Sequence, residues 1–154
     1  MRRTCLGTAG ATFVLHAACA AGGVATPGPP SPPAAVQYSV EGGIAGRQER
    51  LEVASDGSLR LFVRDVERGQ GQLAPATLER LQAIVNGPAF RELGARYLPA
   101  NTCCDRFQYT VRVERADGVQ AVTTMDGARW PAPLAEAIGL LQEARRQVEE
   151  TKPR

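Results

Sequence analysis

From Phe107 to Glu114 the chain reads Phe-Gln-Tyr-Thr-Val-Arg-Val-Glu, apolar and polar in strict alternation, after an Asp105-Arg106 lead-in. Successive side chains on a strand point to opposite faces. Phe107, Tyr109, Val111 and Val113 therefore define a dry face, and Gln108, Thr110, Arg112 and Glu114 a wet one. Aromatic and β-branched residues suit such a pleated, half-buried surface. The run predicts a central strand of an antiparallel sheet whose dry face is covered by helices.

The flanking chain supplies the partners. Val36, Tyr38 and Val40 alternate with polar residues as a first strand, and Gly42-Gly43-Ile44-Ala45-Gly46 interrupts it with three glycines that open backbone shapes closed to other residues. Arg47 to Ala54 resumes as a second strand, with Leu51 and Val53 facing in. Asp56-Gly57 is a tight-hairpin signal leading to Leu59, Leu61 and Val63, with Phe62 on the opposite face. Glu67 to Gln72 is polar and glycine-rich. Pro75 suits a first helical turn, and Leu78, Leu81, Ile84 and Val85 make one apolar stripe. Asn86-Gly87-Pro88 closes that helix, with Gly87 as a left-handed cap. Phe90 and Leu93 suggest a further helical turn, and residues 95–102 a loop. Asp117-Gly118 predicts a hairpin into Val119–Met125, and Asp126-Gly127 stops that strand. Trp130-Pro131 leads to a last helix buried through Leu134, Ala137, Ile138, Leu141, Ala144 and Val148. The expected order is βββ-α-ββ-α, an α+β two-layer sandwich with both helices on one face of an antiparallel sheet.

That domain is expected over residues 36–150, with a short tail at 151–154. Residues 1–19 have the pattern of an export signal: Arg2-Arg3, a modestly apolar run through Phe13-Val14-Leu15, then small residues. Leu15-His16-Ala17-Ala18-Cys19 resembles a bacterial lipobox, with His16 where an aliphatic residue usually stands. On that reading Cys19 is lipidated and holds the protein to a membrane. The alternative is ordinary cleavage near Ala18 to Ala20 or at Val24-Ala25, releasing a soluble protein. Residues 20–35 carry Thr26-Pro27-Gly28-Pro29-Pro30-Ser31-Pro32-Pro33, which builds no core and stiffens into an extended spacer.

Removing the signal has chemical consequences. Lys+Arg falls from 18 by the two signal arginines, 18 − 2 = 16, against Asp+Glu 16. A neutral mature chain has no basic excess for a phosphate backbone, so no nucleic-acid partner is expected. The single histidine, His16, goes with the signal, and with it the commonest general base and a leading metal ligand. Ser31, Ser39, Ser55 and Ser58 show no nucleophile-elbow spacing, there is no phosphate loop, and Lys152 is the only lysine. The expectation is a protein that is not an enzyme and needs no cofactor.

Several segments together resemble the emfourin-type family, bacterial inhibitors of protealysin and related thermolysin-like metalloproteases. They are Gly42 to Gly46 between the first strands, Asp56-Gly57, the Leu78/Leu81 helix, Phe90-Arg91-Glu92-Leu93, Asp105-Arg106-Phe107-x-Tyr109-x-Val111, and Asp126-Gly127 before the last helix. The resemblance covers roughly residues 38 to 145. It implies an α+β fold and a protein partner, a thermolysin-like zinc metalloprotease whose substrate cleft the folded inhibitor occupies. This chain differs from the family's founding inhibitor in its export signal, its spacer and Cys103-Cys104.

The candidate contact loop is Gly42, Gly43, Ile44, Ala45 and Gly46. By the resemblance, the protease cleft favours an apolar side chain beside the scissile bond, which Ile44 could supply. Alternatively the loop is a bulge or hairpin with Ile44 tucked under the sheet edge. Asp105 and Arg106 could pair, Asp105 could face the partner's metal, or Asp105 could accept backbone hydrogen bonds in its turn. Cys103 and Cys104 could form a vicinal disulfide, remain thiols, bridge to another chain or present thiolates to a protease zinc; with no histidine and no further cysteine in the domain they complete no tetrahedral metal site of their own. The expected function is an exported inhibitor or binding protein in the cell envelope, periplasmic or lipid-anchored. The alternative is an envelope interaction module with no protease target.

Overall fold

The computed structural model describes residues 34–103 and 105–151. The export signal, Cys19, nearly all of the spacer, Cys104 and residues 152–154 lie outside them. The elements are β1 (Ala34–Gly42), β2 (Arg47–Ala54), β3 (Ser58–Val63), β4 (Val66–Gln72), α1 (Pro75–Asn86), α2 (Pro88–Arg91), β5 (Arg96–Tyr97), β6 (Phe107–Arg115), β7 (Gly118–Met125) and α3 (Ala132–Glu150).

The strands form one sheet in the order β4-β3-β2-β1-β6-β7-β5. Every pairing is antiparallel except β5 with β7. The alternating run is β6, an interior strand, but β1 holds the middle. Tyr38 on β1 lies opposite Leu51 on one side and Val111 on the other, so one row of the dry face crosses three strands.

Helices cover that dry face, and the class is α+β as the pattern implies. Leu81 and Val85 of α1, Phe90 of α2 and the full predicted stripe of α3 join Val36, Tyr38, Leu51, Val53, Leu59, Leu61, Val111, Val113 and Val122 in a single core. Burying each large side chain contributes about 1.5–3 kcal/mol. Phe62, on the open face, is covered by the guanidinium groups of Arg50 and Arg60, 4.3 and 4.9 Å from its ring centre. Trp130 is half-buried, donates from Nε1 to the Met125 carbonyl at 3.2 Å and meets Tyr109 edge-on.

Three elements depart from the expected order. Residues 66–72 form β4, although they carry no apolar alternation. The two β4 residues opposite Leu61 and Leu59 are Gly69 and Gly71, and a Cβ there would stand 2.7 and 3.1 Å from the methyl carbons of Val148. The strand's inner face is bare because α3 lies directly on it. Residues 96–97 form β5, too short for a pattern, fastened by the Thr123 amide to the Ala95 carbonyl and Thr124 Oγ1 to the Tyr97 carbonyl. The suggested turn near Phe90 is α2. Gly87 is not a left-handed cap: its φ is −68°, because the chain passes straight from α1 into α2 and Gly87 caps both.

Candidate functional site

The β1–β2 connection is a four-residue turn whose glycines are needed where they stand. Gly42, Gly43 and Gly46 have φ of 111°, 71° and 57°, in the region that disfavours side chains. The turn lies down on the start of β6. Gly43 donates to the Arg106 carbonyl at 3.2 Å and Gly46 to the Gly43 carbonyl at 2.9 Å. A Cβ on Gly42 would collide with the Arg106 carbonyl oxygen, and one on Gly43 would come within 2.8 Å of the Phe107 ring. Only a chain without side chains at these two positions can approach so closely.

Ile44, at the crest, is 88% exposed. The alternative that it folds beneath the sheet edge does not occur. An aliphatic side chain is held in water on a backbone braced from below.

Arg106 does the bracing rather than the contacting. Its guanidinium turns inward, with Nε donating to the Cys103 carbonyl at 3.3 Å and Nη1 to the Asp126 carbonyl at 2.6 Å. Asp126 in turn fixes β6 with both carboxylate oxygens, accepting from the Phe107 amide and from the Tyr109 hydroxyl, each at 2.9 Å. Burial pushes the Tyr109 phenol up, and the adjacent Asp126 carboxylate pushes it further. Tyr109 also stacks parallel to Tyr38, ring centres 6.5 Å apart.

Asp105 and Arg106 therefore do not act as a pair. Asp105 is exposed, at φ 42°, and its carboxylate has neither an ion pair nor a hydrogen bond among the described residues. The turn-capping role for it is not seen. It stands with Ile44 at the rim of an open concavity of about 590 Å³ that also includes Val63, Arg64, Arg68 and Phe107. Cys103 is disulfide-bonded. The other cysteines, Cys5, Cys19 and Cys104, lie outside the described residues.

Where β2 leaves the loop, Arg47 extends over Phe107 at 5.8 Å and pairs with Glu49 at 2.6 Å. Glu49 also accepts from Arg145 of α3 at 2.8 Å, joining the helix to the loop's exit strand. Burial raises the Glu49 carboxyl, the largest single influence on it. The hydrogen bonds from Arg47 and Arg145 nonetheless bring it below the usual carboxylate range. Among the described residues no three His, Cys, Asp or Glu side chains converge as a metal set.

No family model matches this chain, and neither does any curated protein. The site is thus defined by its own geometry. Sequence reasoning found the loop, Asp105 and Arg106, but not the supporting Asp126 or the flanking Arg64 and Arg68. The Asp126-Gly127 turn was a visible signal for the first. Nothing in local sequence brings residues 64 and 68 to residue 44.

Proposed function

We propose that this protein is an exported binding protein that inhibits a thermolysin-like zinc metalloprotease, with the Gly42–Gly46 loop entering the substrate cleft. The observation that carries this reading is the exposed Ile44 on a braced glycine turn. Ordering a free loop on binding costs free energy, and a loop already fixed avoids much of that cost. A solvent-held aliphatic tip is suited to an apolar pocket, where a single desolvated anchor supplies a large share of the affinity. The resemblance to emfourin-type inhibitors supplies the class of partner. Export and a lipid anchor at Cys19 are part of the proposal, resting on the N-terminal sequence. The protein acts as a folded body and not as a catalyst.

The test is a titration of the mature chain into thermolysin with zinc in excess, which removes chelation as a cause. Stoichiometric loss of activity is expected. Ile44→Asp should weaken it strongly with an unchanged unfolding midpoint, because a carboxylate forced into an apolar pocket is desolvated without a partner. Unchanged inhibition by folded Ile44→Asp takes the loop out of the site. If the wild-type chain leaves thermolysin and several related proteases active, the envelope-module reading replaces this one.

A further inference from the structure

Two backbone irregularities stand next to the Ile44 loop, and both place an arginine. The first is the β3–β4 turn. Val63 pairs with Val66, which leaves Arg64 and Asp65 as a two-residue hairpin turn. Their φ angles are 50° and 60°, a conformation favoured by Asn and Gly and costly for a long side chain. The second is in β4. The register runs from Leu61↔Gly69 to Phe62↔Glu67, so Arg68 is the extra residue of a β-bulge. A bulge re-aims the side chain it carries.

Both irregularities lead to one place. Arg64 and Arg68 line the concavity that Ile44 borders, and the Arg64 amide ties the hairpin to the Gln48 carbonyl at 2.9 Å, just past the loop. Neither side chain has an ion pair or hydrogen bond among the described residues. Neighbouring arginines differ: Arg50 pairs with Glu52 and Asp65, Arg60 with Glu67, and Arg47 with Glu49. Two unpaired guanidinium groups lining the same concavity as an exposed aliphatic tip constitute a charged flank.

We infer that the β3–β4 hairpin is the second arm of the contact surface, and that the partner carries an apolar pocket flanked by carboxylates. Ile44 fills the pocket, while Arg64 and Arg68 meet the acidic rim, steering the encounter. Asp105, the acidic residue of the same concavity, opposes that steering. This rests on the proposed inhibition and specifies its partner's chemistry. Charges at an interface rim act chiefly on association rate and its salt dependence, whereas a buried anchor acts on dissociation.

The experiment measures association and dissociation rates of the mature chain with thermolysin at low and high ionic strength. The Arg64→Asn/Arg68→Gln double variant should associate roughly tenfold more slowly at low salt and lose most of its salt dependence. Its unfolding midpoint should hold or rise, because Asn adopts the left-handed region more readily than Arg. Asp105→Asn should associate faster. Asp65→Asn is the control for turn geometry: it changes the same turn, leaves both cations in place and, by removing a carboxylate that pairs with Arg50, should if anything speed association. Equal slowing by Asp65→Asn would assign the effect to turn shape and overturn the charged flank. So would unchanged rates in the arginine double variant; if Ile44→Asp still weakens binding in that case, the inhibitor reading stands alone. A wild-type chain that binds neither thermolysin nor related proteases overturns both.

Discussion

Asp126 reaches back from just past β7 to the start of β6 and satisfies an amide and a phenol with one carboxylate. Tyr109→Phe keeps the ring stack on Tyr38 and removes only the hydroxyl. It should lower stability by about 1–3 kcal/mol, the range for leaving a buried acceptor unsatisfied, here Asp126 Oδ1 while Oδ2 keeps the Phe107 amide, as read from denaturant unfolding. Glu49 gives a pH signature. Its folded pKa is depressed, so its contribution is full above the unfolded carboxylate value near 4.5 and is lost as pH falls through the lower folded value. Wild type should therefore exceed Glu49→Gln in unfolding midpoint at neutral pH, and the gap should close on acidification. A gap constant down to the acid limit excludes the linkage. Residue identities carried part of this into the sequence reading. Ile44 between glycines left an exposed tip and a residue tucked under the sheet edge both open, and Tyr109 in its alternation pointed to the core. That Arg106 turns inward depends on the Asp126 carbonyl, a backbone group no pattern of side chains reveals.

At the scale of elements, the loop's shape comes from what it rests on. Gly43→Ala puts a methyl against the Phe107 ring in a left-handed backbone. It should cost about 1–3 kcal/mol of stability and, by lifting the turn, reduce inhibition even though Ile44 is intact. Inhibition at wild-type strength would mean that bracing is unimportant. The longer elements were legible because period and burial agreed: α3 has its stripe, and β2, β3 and β6 their alternation. β4 was hidden for the opposite reason. Its inward positions are glycines under Val148, so the strand has no apolar face to advertise. The Arg68 bulge was equally hidden, since a register step exists only once two strands are paired.

Over the whole molecule, β1 to β4 form a meander in which each strand pairs with the next, and β6 and β7 form a hairpin. The two blocks meet along one line, β1 against β6, where Val36 faces Val113 and Gly42 faces Phe107. Contacts this distant in sequence are slow to form, because their chain-closure entropy precedes any reward. The Gly42–Gly46 loop belongs to the first block, but the groups that press it into shape, the Arg106 carbonyl and the Phe107 ring, belong to the second. A chain whose second block has not yet docked thus presents Gly-Gly-Ile-Ala-Gly as ordinary slack peptide. On the inhibitor reading, the protease that the finished protein blocks would cut the unfinished one at that stretch. Tyr109→Ala, which loosens the junction, should be nicked by thermolysin between Gly43 and Arg47 under conditions where wild type survives intact; cleavage elsewhere first would place the weak point outside the junction. On that reading, closing the two blocks is the event that turns bait into blockade, and a chain exported unfolded would have only its own folding time in which to do it.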